Sequence, residues 1–127
     1  MTVIPYLDKR DGRHHEQLAD LFMMSDFLLL PTRNEYSGIL FCVASAFGLP
    51  TITANAGGIS GQLSMAKNSF MLPISDRGSD YAKLIREIYE ENQRYYELAR
   101  SSGKAFDERH SWYARANMKR KLITEML

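Results

Sequence analysis

A carboxylate and a glycine three positions apart, Glu35 and Gly38, stand just before an apolar helix-like segment, and this is the first place in the chain where chemistry could occur. The loop reads Pro31-Thr-Arg-Asn-Glu-Tyr-Ser-Gly38 and runs straight into Ile39-Leu-Phe-Cys-Val-Ala-Ser-Ala-Phe47. A helix start exposes backbone N–H groups without intrahelical partners and carries a partial positive charge. Gly38 lets a ligand approach those groups closely, which suits a phosphate or diphosphate. A carboxylate at position 35 either caps the helix or accepts hydrogen bonds from ligand hydroxyls such as those of a sugar. The residues alone leave both open. A second loop, Asn55-Ala-Gly-Gly-Ile-Ser60, follows a β-branched segment. Its Gly57-Gly58 pair is either a plain turn or a ligand cradle.

The elements that must position these loops follow from the apolar spacing. Phe27–Pro31 is a continuous apolar run of strand length, the pattern of a strand covered on both faces in a parallel sheet. Residues 38–47 are apolar nearly all round and predict a buried helix, with Ser37 placed to cap its start and Gly48 to end it. Pro50–Ala54 and Phe70–Pro73 read as strands, and Thr2–Leu7 as a further short one containing Pro5. Amphipathic helices are predicted over His14–Met24, from Ser79 or Asp80 to about Glu91, over Tyr95–Phe106, and from about Trp112 onward. This alternation predicts an α/β fold: a partial Rossmann-like three-layer sandwich with a parallel sheet of about four strands, in a single domain over residues 1–127. In such sheets ligands sit at the carboxyl ends of the strands, which is where both loops lie.

Composition narrows the function classes. The chain has 127 residues, too few for two domains. Lys and Arg number 16 against 15 Asp and Glu, a net charge of +1, without the basic excess of a nucleic-acid binder. A single cysteine, Cys42, excludes an internal disulfide and a multi-cysteine zinc site. Its place on an apolar helix face predicts a buried small residue. His14 and His15 have no spaced third ligand and read as solvent-facing. Tyr89, Tyr95, Tyr96 and Trp112 are expected to pack between the terminal helices. Arg115, Lys119, Arg120 and Lys121 read as a solvated face, with a membrane surface as a minor alternative partner. The opening residues lack the basic start and apolar core of a signal peptide, so a cytoplasmic protein is expected.

The wording from Leu28 to Ile59 resembles the donor-binding half of the family 4 (group 1) glycosyltransferases, which have the GT-B fold. The matching residues are Leu28-Leu-Leu-Pro-Thr-Arg-Asn-Glu-Tyr-Ser-Gly38, then Val43-Ala-Ser-Ala-Phe-Gly-Leu-Pro-Thr-Ile-Thr-Ala-Asn-Ala-Gly-Gly-Ile59. Phe70-Met-Leu-Pro73 is similar to the family strand after the paired glycines, and Phe106 with His110-Ser-Trp112 to its last helix start. The resemblance implies the C-terminal part of a GT-B nucleotide-sugar-binding domain. It implies a retaining transferase that takes a nucleotide-activated sugar and needs neither cofactor nor metal. By that implication Glu35 is the catalytic-site carboxylate that contacts the donor sugar. The backbone of Ser37, Gly38, Ile39 and Leu40 meets the diphosphate or sugar hydroxyls. Thr32 and Tyr36 belong to the same pocket, and Gly57 and Gly58 lie near the donor at the cleft.

The departures from the family pattern are specific. The second glutamate of the family's pair, which grips the ribose, falls at position 43, where this chain has Val43. Losing that charge-assisted pair costs about 1.5–3 kcal/mol, roughly ten- to a hundred-fold in donor affinity. Ser60 and Gly61 replace a proline and a common acidic residue. The family's diphosphate-neutralising Arg and Lys match no residue here, and the resemblance places them, with an N-terminal acceptor domain, upstream of Met1. A diphosphate transition state without a cationic clamp loses a dominant catalytic term. The chain alone is therefore expected to be inactive. The alternative is a non-catalytic structural or interaction remnant of the fold. A sheet cut at one edge also suggests a homodimer through that edge.

Overall fold

In the computed structural model, which describes residues 2–8, 10–35, 38–59, 63 and 67–126, the apolar run forms strand β1 (Leu28–Leu30), the β-branched segment forms β2 (Thr51–Ala54), and β3 spans Ser69–Leu72. All pair in parallel in the order β1-β2-β3. The register aligns Leu29 with Ile52 and Phe70, and Leu30 with Thr53 and Met71. Side chains alternate across a strand, so this register assigns one face to Ile52, Phe70 and Leu72 and the other to Leu28, Leu30 and Met71. Helices cover both. On the first face α3 (Gly78–Glu90) brings Tyr81 and Ile88, and α4 (Asn92–Ala105) brings Leu98. On the second, α2 (Ile39–Ala46) brings Phe41, which joins Ile59 and Leu63. Behind α2, α1 (Gly12–Met23) packs Phe22 on Ala44 and Leu49. The three-layer α/β expectation is met, with three strands among the described residues where about four were expected.

The difference lies at the N-terminus. The Thr2–Leu7 segment forms no strand and pairs with no strand among the described residues, and its residues through Tyr6 are exposed. Pro5 has no N–H for a ladder, and the outer edge of β1 has no strand beside it among the described residues. Leu29 on that edge is 45% exposed.

Helix ends follow local chemistry. Asp11 accepts the Arg13 N–H at 2.9 Å to open α1. Asp80, in the first turn of α3, accepts the Arg77 N–H at 2.8 Å, so the helix starts slightly before the predicted cap. Gly48 follows α2 as expected, with Leu49 N–H donating to Ala44 O and Gly48 N–H to Ser45 O, the paired bonds of a Schellman ending. After α4 comes a π-helical turn (Phe106–His110), then α5 (Trp112–Met126), which buries no residue. The aromatic expectation is corrected here. Trp112 is 87% exposed, and Tyr89 and Tyr96 are exposed as well. Tyr95 alone of the four is half-buried, edge-on to Phe27. His14 is half-buried and its Nδ1 accepts the Asp8 N–H at 3.1 Å. No helix of the described residues is long and apolar enough to cross a membrane.

Candidate functional site

The loops that follow β1 and β2 meet at the carboxyl edge of the sheet because the two strands are parallel neighbours. Thr53 Oγ1 donates to Leu30 O at 2.7 Å, tying the two strand ends together. Beyond them, Gly58 N–H donates to the Glu35 carbonyl at 3.2 Å. Gly57 lies against the same peptide: a Cβ there would collide with the Glu35 carbonyl oxygen, and its φ of +61° is one that only glycine adopts easily. The glycine pair thus serves as a close backbone seat for Glu35.

The Glu35 carboxylate is half-buried at the start of α2, where Oε1 accepts the Gly38 N–H at 3.0 Å. Of the two roles the sequence left open, capping is the one seen. Gly38 is the N-cap residue, in the left-handed region at φ +53°, and a side chain on it would strike the Phe41 ring. Among the first-turn donors, Ile39 and Leu40 N–H have no intrahelical acceptor by helix geometry. Thr32 is held in its own turn, its Oγ1 donating to Asn34 O at 2.9 Å. Tyr36, Ser37, Ser60 and Gly61 lie outside the described residues, and so does the expected Ser37 cap.

The helix sorts its own side chains. Leu40 and Phe41 point into the core, whereas Ile39, 72% exposed, and Val43 point outward. They line an open cavity of about 460 Å³ together with Cys42 and Ala46. The opposite wall comes from the π-helical turn and α5, through Phe106, His110, Trp112 and Arg115. Val43 therefore presents to this groove an apolar side chain that cannot accept a hydrogen bond from a hydroxyl. A second cavity of about 330 Å³ opens at the carboxyl ends of β1 and β2, where Pro31, Arg33 and Ala54 meet Asp76, Arg77 and Tyr81. Burial, with Asp76 adding to it, pushes the Tyr81 phenol up.

One residue of the first groove differs from expectation. Cys42 is half-buried rather than sealed in the core, and its Sγ lies 3.7 Å from His110 Nδ1. Arg115 is exposed as expected, and its Nη2 lies 3.9 Å from the same Sγ. Burial, then Arg109 and Arg115, hold the His110 imidazole below the ordinary histidine value. No local pattern links residues 68 and 73 positions apart. The only signal nearby was the His110-Ser-Trp112 wording.

The profile of the family described as "Glycosyl transferases group 1" matches residues 11–106. A D-inositol 3-phosphate glycosyltransferase of Streptomyces avermitilis is 32% identical over 73 residues, covering 58% of this chain and 16% of that protein. The enzyme of the same name from Paenarthrobacter aurescens is 26% identical over 84 residues, covering 66% and 20%. Among solved structures, HepE of Anabaena in complex with UDP superposes with a TM-score of 0.70 at 19% identity, covering 82% of this chain and 29% of that one. Sucrose-phosphate synthase of Thermosynechococcus elongatus gives 0.73 at 21% identity, covering 88% and 28%. The chain thus spans a fifth or less of these curated relatives and under a third of these solved chains. With the profile covering most of its length and the parallel sheet matching part of GT-B enzymes, the chain belongs to the group 1 glycosyltransferases.

Proposed function

We propose that this chain is the donor-binding portion of a retaining glycosyltransferase that takes a nucleotide-activated sugar without a metal, and that it does not complete the transfer alone. The observation that carries this reading is the meeting of the loops after β1 and β2 at the carboxyl edge of the sheet, beside the start of α2. The Gly57-Gly58 loop grips the backbone of Glu35, and the Glu35 carboxylate rests on the Gly38 amide at the start of α2. In this reading the carboxylate holds the donor's place. An arriving diphosphate takes the helix-start amides of Gly38, Ile39 and Leu40, since it carries more negative charge than a carboxylate and gains more from the helix N-terminus. Glu35, released, accepts a hydrogen bond from a sugar hydroxyl. Thr32 lines the same pocket in this reading, Tyr36 and Ser37 are expected to belong to it by the family motif, and Val43 holds the position of the family's ribose contact. The UDP held by HepE and the sugar transfer named for the curated relatives support a nucleotide-sugar donor. The remaining parts, an acceptor domain and cationic residues for the diphosphate, would come from a longer polypeptide. The open edge of β1 suits pairing with such a segment or with a second copy.

Calorimetry with nucleotide-sugar donors tests the proposal on the parent chain, Val43→Glu and Glu35→Ala. Val43→Glu is expected to tighten donor binding about ten- to a hundred-fold, and adding Glu35→Ala to it should abolish that gain. Absence of binding in both the parent and Val43→Glu would overturn the reading. It would favour a second one, a non-catalytic remnant of the fold, which the apolar Val43 and the self-paired Glu35 and Gly38 already favour.

A further inference from the structure

We infer that Cys42 is a reactive thiol, a site of mixed-disulfide formation with small anionic disulfides, set up by His110 and Arg115 in the groove between α2 and α5. The cysteine does not stand alone. His110 Nδ1 lies 3.7 Å from Sγ, and Arg115 Nη2 approaches the same sulfur at 3.9 Å. The second ring nitrogen, Nε2, is buried and has no hydrogen-bond partner among the described residues. Among the described residues no other group bonds the ring, and no carboxylate pairs with it. A neutral imidazole with Nδ1 open accepts the S–H proton, and a guanidinium beside the sulfur stabilises the thiolate left behind. Burial and the cations Arg109 and Arg115 keep that ring neutral at rest, so it holds the proton only in passing while Arg115 faces the charge on sulfur.

The groove supplies the rest of the site. Its volume of about 460 Å³ suits a small ligand. Ile39, Val43 and Trp112 offer apolar and aromatic contact, while Arg115 offers a charge for a carboxylate. Such a lining favours a disulfide that joins a compact apolar or peptide body to an acidic group. The step balances without further reagents. Cys42 thiolate attacks one sulfur of the incoming disulfide, a new S–S bond forms, and the old one breaks. The departing thiolate takes the electron pair and the proton held by His110. The attached group then lies against Ile39 and Val43. Any effect of this on donor binding rests on the function proposed above, but the thiol chemistry does not.

Cys42 is the one cysteine of the sequence, so stopped-flow rates on the full chain report it alone. The dianionic dithionitrobenzoate and the neutral dithiodipyridine serve as probes, with an unstructured cysteine peptide as reference and Cys42→Ser as blank. At neutral pH the wild-type chain is expected to react roughly tenfold faster than the peptide with the anionic probe. His110→Gln should bring that rate back to the peptide's. Arg115→Gln, an exposed change that leaves the fold in place, should lower the anionic-to-neutral rate ratio roughly threefold. Incubation with glutathione disulfide should add one glutathionyl mass, absent from Cys42→Ser. A wild-type rate at or below the peptide's would overturn the inference. So would an anionic-to-neutral ratio unmoved by Arg115→Gln in a chain whose circular dichroism is unchanged.

Discussion

Replacing Gly57 by alanine would test the seat on which the proposed site depends. At φ +61° a Cβ costs about 1–2 kcal/mol in backbone strain. It would also collide with the Glu35 carbonyl oxygen and stand 3.2 Å from the carbonyl carbon, both backbone atoms that cannot swing aside. Relief requires the two loops to part, which breaks the 3.2 Å bond from Gly58 N–H to Glu35 O and loses about 0.5–1.5 kcal/mol. Together these predict a destabilisation of about 1.5–3.5 kcal/mol, near 10 °C in Tm for a domain of this size. Gly103→Ala is the control. It sits inside α4, where a new Cβ meets nothing within 4 Å, so it should stabilise by about 0.5–1 kcal/mol through helix propensity. Urea unfolding followed by circular dichroism measures both. If Gly57→Ala lies within about 0.5 kcal/mol of wild type, the loop contact does not hold Glu35 and the reasoning fails.

Ser102 Oγ donates to Leu49 O at 2.7 Å with the side chain 1% exposed. Ser102→Ala strands that carbonyl beside α4 and should cost about 1–3 kcal/mol by urea midpoint; a neutral result would mean that water replaces the hydroxyl. His110 predicts a pH dependence. Its folded-state value is depressed by burial, then by Arg109 and Arg115, so as pH falls the unfolded chain takes up the proton first. This part of the stability is intact above the ordinary histidine value, about 6.5, and is lost as pH drops from there through the depressed folded value. Unfolding midpoints at about pH 7.5 and about pH 5.5 should differ less in His110→Gln than in wild type, and an equal difference would refute the assignment.

What the chain carries in its order of residues is the local part. The β-branched Thr51–Ala54 is buried throughout, and the apolar run at Leu28–Leu30 and the nearly all-apolar stretch of α2 each supply core residues, Leu28, Leu30 and Phe41 among them. Such elements declare themselves without help, and the loops between them inherit their place at the sheet's carboxyl edge. The capping of α2 was legible as one of two options, since a carboxylate three positions before a glycine start can reach its amide. Tertiary structure alone decided three other matters. Thr2–Leu7 has strand-like residues but no neighbouring strand among those described, and pairing is a property of two segments. Trp112 has the type of a core residue but stands at the rim of an open groove that leaves it 87% exposed. The meeting of Cys42, His110 and Arg115 depends on the π-helical turn and α5 being brought against α2, a long-range packing outcome on which the spacing of those residues along the chain is silent.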